Sequence, residues 1–141
     1  MARSALALKL LCSRDYGAIV ADAAFGIPET EGAQRRWDYR YASIPDASFA
    51  VYALLRLGYT DEARGFKDWI SQLNNNETSD GSLKPMYSMD ESEVPEERSL
   101  EHLTGAKGDM PLIGNGAREQ LQLDLYGARI DAVYLLSLIH I

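Results

Sequence analysis

The chain has 141 residues, a length typical of one domain, and its 46% hydrophobic content is enough to bury a core. Its formal net charge is −7 and its basic residues form no cluster, which argues against binding to nucleic acid. The single cysteine, Cys12, excludes an internal disulfide. No apolar run is long enough to cross a bilayer, and the apolar stretch at 5–11 is interrupted by Lys9 and precedes no small-residue cleavage site. We therefore expect a soluble, cytoplasmic chain without a signal peptide and without a membrane partner.

The first part of the chain predicts one helix, an extended segment and a loop. Residues 2–13 are rich in leucine and carry only two charges, which predicts a helix. Residues 17–21 read GAIVA, a short run typical of a strand or extended chain. Residues 26–29 contain glycine and proline and predict a loop. An aromatic segment, WDYRY, follows at 37–41.

Two helices are predicted after the aromatic segment, and they form an αα-hairpin. Asp46 is a good N-cap for the first helix, because its carboxylate can accept from N–H groups of the first turn, and Pro45 disfavours helix immediately before it. This helix is apolar nearly all round, which predicts burial on more than one side, and Gly58 ends it. Thr60 caps the second helix, and the short link makes the pair antiparallel. The second helix is amphipathic, with apolar residues at helical spacing: Ala63, Phe66, Trp69, Ile70 and Leu73.

The second half of the chain predicts long loops and one more helix. Residues 81–87 look extended, and residues 90–101 carry six carboxylates against Arg98, which is typical of a solvated loop. Residues 105–116 are rich in glycine and proline and also predict a loop. The last helix is predicted over 117–135, with one apolar face formed by Leu121, Leu125, Ala128 and Ala132.

The segment at 37–41 combines aromatic, acidic and basic side chains just before a helix. Aromatic rings stack on the apolar faces of pyranose rings, and carboxylates and guanidinium groups bind sugar hydroxyls, so the segment is compatible with a polyol ligand. The alternatives are structural: Asp46 is only an N-cap, and Trp37 and Tyr39 are packing aromatics. His102 has no Ser or Cys partner at a spacing that would indicate a catalytic triad. No His or Cys cluster predicts a metal, and no glycine-rich loop after a strand predicts a nucleotide.

The order of several short segments resembles glycoside hydrolase family 15, the glucoamylase-like and trehalase-like α-glucosidases. Each segment is weak alone, but together they span positions 3 to 135 in register. The segments are 3–10, 17–21, 28–29, 37–40, 46–49, 52–59, 80–83, 113–115 and 119–124.

The resemblance implies a mainly α fold, a partial (α/α)6 toroid of helical hairpins with short extended segments. Residues 1–135 would be the N-terminal part of the catalytic domain. The family uses an inverting mechanism without a cofactor, in which a carboxylic acid protonates the leaving oxygen and a carboxylate activates water. Both of the family's catalytic glutamates lie downstream of the last matched segment. We therefore expect no catalytic residue in this chain, and an inactive fragment of a hydrolase acting on an α-glucoside or oligosaccharide.

The resemblance also assigns substrate-binding residues. Tyr39 corresponds to the tyrosine beneath the developing oxocarbenium ion and Asp46 to the aspartate that binds sugar hydroxyls, while Trp37 and Asn115 are weaker candidates. The family usually reads Trp-Leu/Ile-Arg-Asp where this chain has serine, isoleucine, proline and aspartate at 43–46. Pro45 offers no donor in place of a guanidinium, and the serine removes a large apolar surface. Sequencing error and loss of function are both open explanations.

The last six residues, LSLIHI at 136–141, have two interpretations. The codons CTG TCT CTT ATA CAC ATC encode them, and that string resembles a transposon-end adaptor used to prepare sequencing libraries. We interpret the segment as a non-native tail, with an ordinary apolar helix end as the alternative. A different hypothesis for the whole chain is a genuine short helical protein that binds a sugar or a partner without catalysis.

Overall fold

The computed structural model describes residues 2–23, 37–73, 82–105, 108 and 110–137. The predicted loop at 26–29, the matched positions 28–29 and 80–81, and the end of the tail at 138–141 lie outside these residues. The fold is mainly helical, as the sequence predicted. The α-helices within the described residues are α1 (Ala2–Leu10), α2 (Ile44–Arg56), α3 (Thr60–Gln72) and α4 (Asp124–Ser137). None of them is long and apolar enough to cross a membrane.

Helix α2 begins three residues before the predicted start, because its N-cap is Ser43 and not Asp46. Ser43 occupies the N-cap position with extended backbone angles, and Pro45 lies in the first turn. Proline is tolerated there because the N–H groups of a first turn have no helical acceptor, so the missing N–H removes no bond. The prediction that Asp46 is the N-cap is therefore wrong. Its carboxylate lies in the first turn of α2, where the positive end of the helix dipole favours an acidic group.

Helices α2 and α3 pack against each other across a link at 57–59, which confirms the predicted hairpin. The predicted cap is wrong, because Thr60 is the first residue of α3 and Tyr59 occupies the N-cap position. The amphipathic pattern of α3 is also confirmed, since its five predicted apolar residues are all buried. Helix α2 contacts α1, α3 and α4, so it is buried on more than one side. One strip of α2 remains outside the core, however, because Phe49 is 78% exposed and Tyr52 is 48% exposed.

Helix α4 begins at Asp124, seven residues after the predicted start at 117. A single 3-10 turn covers Gly116–Glu119, and the chain is extended at Gln120. The predicted apolar face is wrong at Leu121, which is 68% exposed, whereas Leu125 and Ala132 are buried as expected. The turn stays short because the Asn115 side chain caps it at its start and Gln120 leaves helical geometry at its end.

Helix α4 packs chiefly on α2. The Ser48 hydroxyl of α2 donates to the Ile44 carbonyl at 2.6 Å and lies 3.3 Å from the Ala128 carbonyl of α4. Leu136, the first residue of the predicted tail, is buried in the hydrophobic core.

Within the described residues, the strands form two short antiparallel pairs. Strand β1 (Ala42–Ser43) pairs with β2 (Met86–Tyr87), and β3 (Arg98–Ser99) pairs with β4 (Leu112–Ile113). The extended segments predicted at 17–21 and 81–87 are confirmed where they are described, by an isolated bridge from Cys12 to Ile19 and by β2. The pairing of β1 with β2 brings the aromatic segment beside the middle of the chain.

Candidate functional site

A cavity of about 380 Å³ lies where the aromatic segment, the first turn of α2, the start of β2 and the turn after β4 meet. The structure brings together all four residues singled out from the sequence. Trp37, Tyr39, Asp46 and Asn115 line this one cavity. Its volume falls in the range of about 300–1,000 Å³ that is usual for small-molecule sites.

The aromatic wall of the cavity is an extended segment held by main-chain hydrogen bonds. The Ala21 N–H donates to the Tyr41 carbonyl at 3.0 Å, and the Asp22 N–H donates to the Tyr39 carbonyl at 2.9 Å. Because side chains alternate along extended chain, Trp37 and Tyr39 project on the same side. Both rings line the cavity and remain partly exposed, so their faces are accessible to a ligand.

The acidic and basic members of the segment bind each other. Arg40 donates from Nε to Asp38 Oδ1 and from Nη2 to Asp38 Oδ2, both at 2.8 Å. The Asp38 carboxylate is therefore buried and already holds a guanidinium, so it differs from an exposed carboxylate that is free to accept from a ligand. The spacing of Asp38 and Arg40 could have indicated this pair, because residues two apart in an extended chain lie on the same side.

The protonation states of Asp38 and Tyr41 follow from burial and from their neighbours. Burial raises the pKa of Asp38, but hydrogen bonds from Arg40 and Gly114 outweigh burial and hold that pKa below its usual range. Burial, followed by the nearby Asp38 charge, raises the pKa of Tyr41. Asp38 is therefore an anion and Tyr41 a neutral phenol at neutral pH.

Asn115 lies in the part of the lining that follows β4, and it is almost fully buried. Its Nδ2 donates to the Asp38 carbonyl at 3.2 Å, and its Oδ1 accepts from the Ala117 N–H at 3.0 Å. The amide has a second N–H and a second oxygen lone pair, which are the only groups it can offer to a ligand. Its principal contribution is to fix the wall of the cavity.

Asp46 supplies the exposed carboxylate of the cavity. No side chain in the described ranges forms an ion pair or a hydrogen bond with it. Ser43, one of the departures from the family pattern, also lines the cavity, and Pro45 lies beside Asp46 in the first turn of α2.

Sequence reasoning missed two amides at the cavity. Gln120 and Gln122 line it, and Gln122 Nε2 lies 3.3 Å from Gln120 Oε1. They were missed because 117–135 was predicted as one helix, whereas the chain is extended at Gln120. In the part of the chain that the structure describes, no group of three or more His, Cys, Asp or Glu residues is arranged to hold a metal ion.

Two aromatic rings, an exposed carboxylate and several amides thus line one cavity. In a comparison of the sequence with known families, the family described as Glycosyl hydrolases family 15 matches residues 1–140. The chain belongs to this family.

Among curated proteins the chain is similar to trehalases. It is 40% identical over 137 residues to a trehalase of Mycolicibacterium smegmatis, covering 94% of this chain and 20% of that protein. It is 38% identical over 136 residues to a trehalase of Thermoplasma volcanium, covering 96% of this chain and 21% of that protein. The chain thus spans about a fifth of the length of the curated relatives it matches. No solved structure shows significant similarity to it.

Proposed function

We propose that this chain forms one wall of the substrate site of a glycosidase acting on α-glucosidic bonds, with trehalose as the first candidate substrate. The observation that carries the proposal is the convergence of Trp37, Tyr39, Asp46 and Asn115 on one cavity of about 380 Å³. Membership of glycosyl hydrolase family 15 and the similarity to proteins called trehalases support the choice of substrate class.

The chemistry of the lining suits a pyranose ring. The rings of Trp37 and Tyr39 present flat apolar faces, and the Asp46 carboxylate accepts hydrogen bonds from hydroxyl groups. Gln120 and Gln122 carry amides that both donate and accept, which matches hydroxyls that do the same. Tyr39, by the family resemblance, lies beneath the ring where positive charge develops during hydrolysis.

Proton transfer is assigned to residues outside this chain. The family resemblance implies an inverting mechanism with two glutamates downstream of the matched segments, so the residues described here bind and orient the substrate. The α2–α3 hairpin supports a further part of the proposal, that 1–135 contributes to a toroid of helical hairpins. The 141-residue chain alone should therefore bind α-glucosides without hydrolysing them.

The test is a calorimetric titration of the purified chain with trehalose, accompanied by an assay for released glucose. We expect saturable binding and no glucose. Tyr39→Ala and Asp46→Asn should each weaken binding about tenfold, because one removes a stacking face and the other a charged acceptor.

Matched controls separate the cavity from the rest of the surface. Tyr134→Ala removes an exposed tyrosine of α4, and Asp61→Asn removes an exposed carboxylate of α3. Both should bind trehalose as the wild type does. Absence of binding by the wild type, or an equal loss in the controls, would overturn the proposal, and glucose release would overturn the assignment of proton transfer to other residues.

A further inference from the structure

The two walls of the cavity are joined by a buried carboxylate. We infer that Asp38, which lies in the lining of the cavity with its side chain fully buried, is a positioning residue for ligand binding that holds the Trp37–Tyr39 wall and the Asn115 wall in register. The inference rests on the proposed function, because the affinity in question is that for an α-glucoside.

Asp38 links residues that are far apart in sequence. Its Oδ2 accepts from the Gly114 N–H at 3.2 Å, and its main-chain carbonyl accepts from Asn115 Nδ2 at 3.2 Å. Its Oδ1 accepts from the main-chain N–H of Arg40 at 3.2 Å, and both oxygens accept from the Arg40 guanidinium at 2.8 Å. Every one of these contacts connects groups that belong to the cavity walls or immediately adjoin them.

A carboxylate suits this position because all four of these hydrogen bonds to its side-chain oxygens come from N–H donors. An ionised carboxylate has about four acceptor positions, whereas an amide replaces one oxygen by a donor. In the Asp38→Asn variant the NH₂ group would face either the Gly114 N–H and Arg40 Nη2, or the main-chain N–H and Nε of Arg40. Either orientation removes two of the four hydrogen bonds as well as the charge, while the shape of the side chain stays the same.

The Gly114 side of the bridge is fixed by the backbone. Gly114 has φ +81°, and a Cβ there would lie 2.4 Å from the carbonyl oxygens of Pro95 and Glu96. The turn therefore has little room to move, and its N–H is aimed at Asp38. Asn115 follows directly and Trp37 and Tyr39 flank Asp38, so a displacement of the bridge is transmitted to three lining residues.

The experiment compares Asp38→Asn with the wild-type chain by trehalose titration and by amide NMR. We expect Asp38→Asn to keep its far-ultraviolet circular dichroism. Its Gly114 amide proton should move upfield and exchange at least about tenfold faster, since a hydrogen bond to a charged group is lost. Trehalose affinity should fall at least about tenfold.

Ile70→Val is the matched control, because Ile70 is buried in α3 and its truncation lowers stability without touching the cavity. Its trehalose affinity should equal that of the wild type. If Asp38→Asn does not fold, Arg40→Lys takes its place. This variant keeps Asp38 charged but removes its bidentate hydrogen bonds with the guanidinium, and trehalose affinity should fall about threefold.

The outcomes are distinguishable. A wild-type chain that does not bind trehalose overturns the proposed function. A wild-type chain that binds, together with a folded Asp38→Asn of equal affinity, overturns the positioning role alone. An equal loss of affinity in Ile70→Val also overturns it, because the effect would then follow from stability.

Discussion

At the scale of single residues, two glycines have the same backbone conformation in very different surroundings. Gly114 has φ +81° and Gly58 has φ +86°, a region that costs any other residue about 1–2 kcal/mol. A Cβ at Gly114 would lie 2.4 Å from two carbonyl oxygens, whereas a Cβ at Gly58 would meet nothing within 4 Å. A side chain at Gly58 would therefore cause backbone strain alone, whereas a side chain at Gly114 would cause both backbone strain and steric overlap.

Gly114→Ala should lower the free energy of unfolding by more than about 2 kcal/mol, because strain and overlap add. Gly58→Ala should lower it by about 1 kcal/mol from strain alone. Urea denaturation of the three chains measures both differences. Equal losses in the two variants would contradict the close contact at Gly114.

The depressed pKa of Asp38 makes its contribution to stability depend on pH. A carboxyl group whose pKa is lower when folded than when unfolded stabilises the protein above its ordinary value of about 3.9, and loses that effect as pH falls through the folded value. The difference in unfolding free energy between wild type and Asp38→Asn should therefore shrink as pH is lowered from about 6 to about 3. Urea denaturation across that range measures it, and a constant difference would contradict the ionised bridge.

The role of Asp38 could be predicted from the sequence only in part. The spacing of Asp38 and Arg40 in an aromatic, extended segment indicates that they share a side. The other partner, Gly114, is 76 residues away, and no local pattern connects the two positions. Tyr39 and Asp46 were found at the cavity because a family pattern carries long-range information that composition and periodicity lack.

At the scale of elements, the helices that the sequence predicted best are those whose patterns are strictly local. Four apolar positions of α3 and its C-cap Leu73 repeat at helical spacing, and all five are buried. The start of α4 was missed because Leu121 fits the helical spacing by coincidence, although the chain is extended at Gln120 and the Leu121 side chain is exposed. The start of α2 was missed because Pro45 was expected to disfavour helix at the residue before it. Pro45 instead lies in the first turn of α2, where proline is tolerated.

The contact between α2 and α4 contains a hydroxyl that can be tested. Ser48 and Ser71 both donate to the carbonyl four residues earlier, at 2.6 Å and 2.7 Å, but only Ser48 is buried and also approaches α4. Ser48→Ala should cost about 1 kcal/mol of stability, and Ser71→Ala should cost close to nothing. Thermal denaturation of the pair checks this, and similar shifts in both would exclude a contribution from the interhelical contact.

At the scale of the whole molecule, apolar side chains remain outside the core on both α2 and α4. Phe49 on α2 and Ile130 on α4 are 78% and 71% exposed, and Tyr52, Val133 and Tyr134 on the same two helices are exposed as well. Exposed apolar patches of this kind favour association. The chain should therefore self-associate at high concentration.

The double variant Phe49→Lys with Ile130→Lys should reduce that association, as measured by size-exclusion chromatography with light scattering. Ser71→Lys with Gln72→Lys is the matched control, because it adds the same charge on an exposed polar part of α3. Equal improvement in both variants would assign the effect to net charge and not to the apolar surface.

The bridge at Asp38 has a consequence for the order in which a newly made chain acquires its parts. The α2–α3 hairpin uses neighbouring residues and can form as soon as it leaves the ribosome, whereas Asp38 must wait for partners 76 and 77 positions later. Until Asn115 emerges, the aromatic segment lacks the turn that completes the lining of the cavity. The cavity is thus assembled after the hairpin, and a pause in translation between the two leaves a nascent chain with its hairpin but without the complete cavity.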